Sequence, residues 1–457
     1  MGTIPGSQCT CGSAGYWLGG GWIGARVGRR VGSTPNHPGA DGSEPVADRR
    51  CRSGPNEAAA EVGRTIDSSG MPPPDLVLTL FRVTWHAAAR SAGMPIMLAR
   101  LADSLASNAS LGRVLVADPF RSLPRLVART CFNNERRVAA TPSLVHCRPV
   151  RLRACDPFGV RALERSYRAY DATLRRCAMR AGMNRPAVLT LNPFVAAFAP
   201  LTWAGDVTFH AFDDMGAHPT YVGWETIFDE TYKRIRESGR AVSAVSEPII
   251  SRIRPTGRSL VAPNGVDVAE WRHPGTAPAW FLELPRPRLL YVGTLDGRLD
   301  VDLVLAVAAR IGEGSINLVG PTMDEPHLRR LRTARNVRIH PPVDRGTVVA
   351  ITAAADVCLV PHVRNALTIA MSPLKLYEAL AAGTPVAAVD LPPMRDVDPR
   401  VVLAADESPA SFSAAVLRAL SIGRMPEIER LNFIVKHSWS RQHEDLLGLA
   451  LRNLGRH

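Results

Sequence analysis

Lys375 and Glu378 stand one helical turn apart in the stretch Thr368–Pro385, which reads TIAMSPLKLYEALAAGTP. Pro373 suits the first turn of a helix, where its missing N–H is not needed. Ser372 before it is a candidate N-cap. A helix beginning around Leu374 presents backbone N–H groups and the positive end of its dipole, and a diphosphate is well matched to that end. Lys375 adds a charge-assisted contact in the same turn. The Glu378 carboxylate is placed to accept two ribose hydroxyls. The competing reading is an ordinary amphipathic helix in which Lys375 and Glu378 form a weak surface pair.

Two other places carry chemistry-bearing residues. YVGTLDGRLDVDLV, from Tyr291, ends a strand at Gly293 and offers Arg298, whose fork can grip phosphate oxygens. The competing reading of Arg298 is a loop arginine paired with Asp296 or Asp300. VTFHAFDDMGAHPTY sets His210, Asp213 and Asp214 at another strand end. All three are candidates for acceptor-side chemistry, against a competing reading as loop-capping or satisfied polar groups. Asp300-Val301-Asp302 has the form of a metal-binding pair, but it falls at a helix start, where the dipole accounts for acidic residues. No metal or bound cofactor is expected.

These residues need strands to aim them. From Asp75 short β-rich runs recur over Leu76–Val83, Arg113–Ala117, Ala187–Leu191, Asp206–Phe212, Ala241–Val245 and Ser259–Ala262, with amphipathic stretches such as 160–180 and 224–240 between them. The second half repeats the pattern: strands over Arg288–Val292, Ser315–Val319, Val337–His340, Asp356–Val360 and Pro385–Val389, with helices over 300–311, 325–335, 345–355 and 374–382. Strand–helix alternation of this kind makes βαβ units and parallel sheets. Two doubly wound α/β halves follow, with ligands expected outside the carboxyl ends of the strands. Gly383 fits a helix C′ position. Residues 274–288 are proline-rich and read as a linker. Thr84 and Trp85 fall in the first strand-to-helix loop, Trp85 as a packing residue. Ser246 is a cap by type.

The boundaries read as an extension at 1–70, a first Rossmann-like domain at 71–265, a second at 266–440, and a closing helix at 441–457 that returns toward the first domain. The extension is rich in Gly, Ser and Pro and reads as loop or disorder. The chain has 457 residues and 46% apolar side chains, enough for two cores. No apolar run is long enough to span a bilayer, and no leader peptide is read. The eight cysteines show no metal-ligand spacing, so free thiols in a reduced, cytoplasmic compartment are expected. The net charge of +13 is uneven: residues 71–255 hold 25 Lys+Arg against 15 Asp+Glu, and 256–457 hold 23 against 21. A basic first half suits anionic head groups or phosphorylated acceptors. Arginine-biased usage is the alternative. No nucleic-acid motif accompanies the charge.

The segment around Glu378, with ALAAGTPVAAVD after it, resembles the donor-site signature of glycosyltransferase family 4, retaining enzymes of the GT-B fold. LVGP at 318–321 and APNGVD at 262–267 resemble further pieces of that family, and the likeness spans roughly 240–440. The form PLKxYE-LAAG-PV resembles a subgroup linked to cell-wall, teichuronic-acid and surface-polysaccharide synthesis. The resemblance implies a hexosyltransferase that moves sugar from a nucleoside-diphosphate donor, a co-substrate rather than a cofactor, to a lipid-linked or polysaccharide acceptor, with peripheral contact to an anionic membrane. It implies that Gly293, Arg298, Ser372, Leu374, Lys375 and Glu378 hold the donor, Glu378 taking the ribose, and that His210, Asp213 and Asp214 face the reacting sugar. The family's first Glu falls on Ala370, which puts sugar recognition in question. The alternatives are a non-catalytic nucleotide-sugar or polysaccharide-assembly protein on the same fold and a nucleotide-sugar epimerase.

Overall fold

The runs LVLT, VLVA, AVLT and AVSA are apolar on both faces, as strands covered by helices on both sides must be. In the computed structural model, which describes residues 72–89, 94–124 and 143–451, they build the centre of a seven-stranded sheet. Its strands are β1 (Leu76–Thr79), β2 (Val114–Ala117), β4 (Leu144–Cys147), β6 (Ala187–Thr190), β7 (Val207–Ala211), β8 (Ala241–Ala244) and β9 (Ser259–Val261). A small parallel pair, β3 (Arg121–Ser122) and β5 (Val150–Arg151), lies outside it. The order is β4-β2-β1-β6-β7-β8-β9, with every pairing parallel. The chain therefore starts in the middle, runs to one edge, and returns beside its start. Leu76 faces Val114 on one side and Ala187 on the other.

A second sheet repeats the plan with β10 (Arg288–Val292), β11 (Ser315–Val319), β12 (Val337–His340), β13 (Val357–Val360), β14 (Val386–Ala388) and β15 (Val401–Leu403). The order is β12-β11-β10-β13-β14-β15, again all parallel. The strand order reverses between β1 and β6 in the first sheet and between β10 and β13 in the second. Loops diverge there and leave a crevice. Each sheet has its own apolar core; that of the second includes Leu290, Leu318, Leu380 and Phe412, all fully buried.

From Pro74 onward the described residues belong to one compact unit, and polar bonds join its two halves. Asn264 donates its backbone N–H to Ser372 Oγ at 3.2 Å and its side-chain amide to Ser372 O at 2.6 Å. Ser246 Oγ donates to Ala370 O, and Ala370 packs into the apolar core of the first half. The helix Trp439–Leu451 sets Leu446 and Leu447 into the cluster that holds Leu76 and Leu189.

Three local expectations are corrected. Ser372 does not cap its helix; Pro373 holds the N-cap position with no side-chain cap, because the Ser372 hydroxyl is taken by Asn264. Ser246 holds the N-cap position but accepts no cap bond, its hydroxyl turned to donate to Ala370 O. Cys155 is disulfide-bonded, whereas Cys147, Cys177 and Cys358 are free thiols. The extension at 1–70 lies outside the described residues. Among those described, no helix is long and apolar enough to cross a membrane.

Candidate functional site

Strands β10 and β11 both end in glycine, and the site begins with that pair. Gly293 and Gly320 each adopt φ 151°, a conformation side chains resist. A Cβ on Gly320 would stand 2.0 Å from Gly293 O, and one on Gly293 would stand 2.9 Å from Lys375 Nζ. The two bare loops therefore let Lys375 reach into the switch point of the second sheet.

Lys375 occupies the first turn of the helix Leu374–Ala381, whose start carries no side-chain cap. Leu374 is the first helical residue, so its backbone N–H belongs to that uncapped end. The Lys375 ammonium lies 3.7 Å from the centroid of the Tyr291 ring, a cation–π contact, and 3.3 Å from His362 Nε2. Tyr291 is held by its hydroxyl, which donates to Thr294 O at 3.1 Å. Burial, and then the charge of Arg298, hold the lysine pKa well below its ordinary value. Among the described residues no carboxylate lies within ion-pair distance of it. An anion placed there restores the missing partner.

His362 was not foreseen from the sequence. It follows β13, on the far side of the switch point, and is buried. Burial and the charges of Lys375 and Arg298 keep it neutral. With Nε2 facing the lysine ammonium, the ring proton belongs on Nδ1, which is buried without a partner. Only its type and its place after a strand signalled it, because its contacts come from residues 71 and 13 positions away.

Arg298 is gripped by Asp296: Nε lies 3.0 Å from Oδ1 and Nη2 lies 2.8 Å from Oδ2. Burial lowers its pKa, but Asp296 outweighs that and the net shift is upward. Glu378 is buried and paired with Arg345, Oε1 to Nη1 at 2.6 Å. Arg345 lies over the Trp271 ring, 5.3 Å to its centroid, and pairs with Glu270 at 2.9 Å. Glu270 pairs in turn with Arg100 of the first half. The weak surface pair of Lys375 with Glu378 is thus replaced by a charged chain that runs between the halves. Asp300 caps the helix Val301–Arg310 by accepting from Asp302 N and Leu303 N.

On the first half, the three sequence candidates separate. Asp213 is half-buried and lies within electrostatic reach of Arg298 and of Arg82. Burial pushes its carboxyl up to about 6. Asp214 is committed to the frame: its Oδ1 accepts from Gly216 N and from Tyr232 OH, each at 3.1 Å, and its Oδ2 pairs with Arg252. His210 bonds Ser243 Oγ at 3.2 Å and is lowered to about 4 by burial and by His443 of the last helix. His218 joins the cluster instead. It is buried, its Nδ1 accepts from Thr220 N at 3.2 Å, and burial with Arg82 and Arg298 lowers it to about 4. Trp85 packs edge-on against His146 at 5.4 Å, and Thr84 caps the helix Trp85–Ala88.

Residues 286–421 match a family model described as glycosyl transferases group 1. No curated protein matches the chain. Among solved structures it is similar to a sucrose-phosphate synthase from Thermosynechococcus elongatus, with a TM-score of 0.62 and 17% identity, covering 84% of this chain and 99% of that one. An E. coli trehalose-6-phosphate structure bound with UDP-2-fluoro glucose gives 0.58 and 13%, covering 82% and 98%. An α,α-trehalose-phosphate synthase (UDP-forming) from Burkholderia xenovorans in complex with glucose-6-phosphate gives 0.56 and 12%, covering 82% and 100%. These likenesses establish the fold, two Rossmann-like domains in the GT-B arrangement.

Proposed function

On the premise that residues 286–421 are a group 1 glycosyl transferase domain on a GT-B frame, and the chain a glycosyltransferase, we propose that it moves a sugar from a nucleoside diphosphate to a lipid-linked or polysaccharide acceptor with retention of configuration. The observation that carries the donor half is Lys375: a buried ammonium within electrostatic reach of Arg298, at an uncapped helix start, with no carboxylate at ion-pair distance among the described residues. The donor diphosphate takes that place. Lys375 and Arg298 bind its oxygens and stabilise the charge that develops as the sugar leaves. His362, kept neutral, accepts from the Lys375 ammonium through Nε2 and holds it in place for that charge. Glu378 receives the ribose hydroxyls, sharing them with or taking them from Arg345.

Asp213 faces this group from the first half. No side-chain nucleophile is invoked: the leaving phosphate takes the acceptor's proton, and Asp213 orients the sugar hydroxyls. The acceptor class rests on the family resemblance and on the basic first half. Uridine diphosphate is the first donor to test, because the E. coli relative is bound with UDP-2-fluoro glucose.

The test is transfer from UDP-glucose and GDP-mannose to prenyl-phosphate-linked sugars and to oligosaccharides, with the product's anomeric configuration read by proton NMR. A product with the donor's configuration supports the proposal. An inverted product contradicts the retention, and donor binding with no turnover on any acceptor favours a non-catalytic binding protein.

A further inference from the structure

Arg82 lies in the loop after β1, at the switch point of the first sheet, and took no part in the donor chemistry. Its backbone is left-handed, φ 63°, a conformation that non-glycine residues resist. Its guanidinium lies over the Tyr221 ring, 5.3 Å to the centroid, and Nη2 donates to the Thr220 hydroxyl at 3.3 Å. Nη1 is shielded from solvent and has no hydrogen-bond partner. Among the described residues no carboxylate lies within ion-pair distance of Arg82, whereas Arg298 is gripped by Asp296 and Arg252 by Asp214. A guanidinium N–H left unpaired away from water carries a cost that a bound acceptor oxygen removes.

Its surroundings favour an anion. The nearby His218 ring is uncharged at neutral pH. Asp213, the acidic group within electrostatic reach, feels both Arg82 and Arg298. Two cationic poles therefore act on Asp213 and His218. One is Arg298 with Lys375 on the donor half, and the other is Arg82 on the first half. Thr220, whose hydroxyl accepts from Arg82, is exposed, and Tyr221 adds a second hydroxyl interaction with the guanidinium.

We propose that Arg82, with Thr220 and the Tyr221 face, binds a phosphate group on the acceptor, and that the acceptor is a phosphorylated sugar or a lipid phosphate rather than a neutral glycan. The assignment rests on the transferase reading of the cleft, and it deepens that reading by giving the acceptor a charge. Arg82 anchors the acceptor while its hydroxyl meets the sugar near Asp213, and no bond to phosphorus is made or broken there.

The test is calorimetric titration of the full chain with inorganic phosphate, first alone and then with UDP saturating, in the native protein, Arg82→Gln, Arg82→Lys and Thr220→Val. Phosphate is expected to bind the UDP-loaded protein and to weaken about tenfold or more in Arg82→Gln, with a smaller loss in Arg82→Lys, while UDP affinity stays within about twofold. A hexose 6-phosphate and a water-soluble short-chain prenyl phosphate then separate the two sources: the one that binds tighter than inorganic phosphate, and loses that advantage in Arg82→Gln, names the acceptor. Absence of phosphate binding at millimolar concentration, equal affinity in Arg82→Gln and native protein, or loss of the phosphate heat once UDP is bound each overturns the proposal. A parallel fall in UDP affinity assigns Arg82 to the donor and overturns it also. If UDP binds nowhere, the donor reading fails, and the titration without UDP still decides Arg82. Thr220→Val keeps the guanidinium and tests the site where Arg82 variants fold poorly: phosphate affinity held within about threefold supports the guanidinium as the anchor, and loss of phosphate binding overturns it.

Discussion

The two switch points of this molecule are built from the same topology and treat charge differently. After β10 and β13, Arg298 is clamped by Asp296, and Lys375 is seated on Tyr291 beside a neutral histidine. After β1 and β6, Arg82 has the Thr220 and Tyr221 hydroxyls and an aromatic face but no carboxylate partner among the described residues, and Asn192 spends its side chain capping the helix Pro193–Phe198. Cations held in place before the ligand arrives lose little on binding, and they act on charge that develops later. A loosely held arginine gives reach instead of rigidity. A parallel sheet thus supplies the crevice, while neighbouring carboxylates decide whether a cation there is fixed or available.

The contrast is broken most severely at the glycine pair. Gly320→Ala forces a methyl group onto Gly293 O, and a loss of about 3 kcal/mol in denaturant-induced unfolding is expected. Gly275→Ala, with open space around it, serves as the control and should change little. The next effect is on the donor: Lys375→Ala should weaken UDP by about tenfold to a hundredfold, without loss of thermal stability, since a buried unpaired ammonium is removed. Equal affinity, or unfolding, removes the contrast between the poles.

Glu378 separates ribose from phosphate. Glu378→Ala should weaken UDP several-fold and leave inorganic pyrophosphate unchanged, because its carboxylate faces Arg345 rather than the Lys375 pole. If both weaken together, Glu378 acts only by holding Arg345 and the frame. The smallest effect is with pH. Asp213, raised to about 6 in the fold, protonates as pH falls through 6, so the transfer rate should drop on that limb, and Asp213→Asn should give a low, flat profile. For stability, His210, His218, His437 and His443 are each lowered to about 4. A depressed histidine contributes stability that is full above pH 6.5 and lost as pH falls toward 4. Asp213 acts in the opposite direction, favouring the fold below its ordinary value and losing that contribution as pH rises through 6. His340 and His362 are lowered too, and Asp103 and Asp171 are raised by burial as Asp213 is, so the lowered histidines outnumber these raised carboxyls and a melting temperature that falls between pH 7 and pH 5 is expected.

Much of the frame was legible because most buried strands are short apolar runs. Arg288–Val292, Ser315–Val319 and Val337–His340 appear at the boundaries their sequences imply. Leu144–Cys147 and Val401–Leu403 did not declare themselves; both are sheet edges, shorter or less apolar, and depend on a neighbour for their shape. In the candidate site, Lys375 and Gly293 were readable from type and spacing, since a first-turn lysine and a strand-end glycine are local signals. Arg82, His218 and His362 were not. What sets them apart is a missing partner or a depressed pKa, and these arise from contacts across many residues. Ser372 misled for the same reason: its type fits a cap, but Asn264, 108 positions away, takes its hydroxyl.

The most direct measurement is calorimetric titration of the full chain with UDP, GDP, ADP and dTDP, with Lys375→Ala alongside. One nucleoside diphosphate should bind at micromolar concentration and lose at least about tenfold in the variant. Binding of none of the four, or equal binding by Lys375→Ala, would contradict a donor diphosphate seated on that lysine.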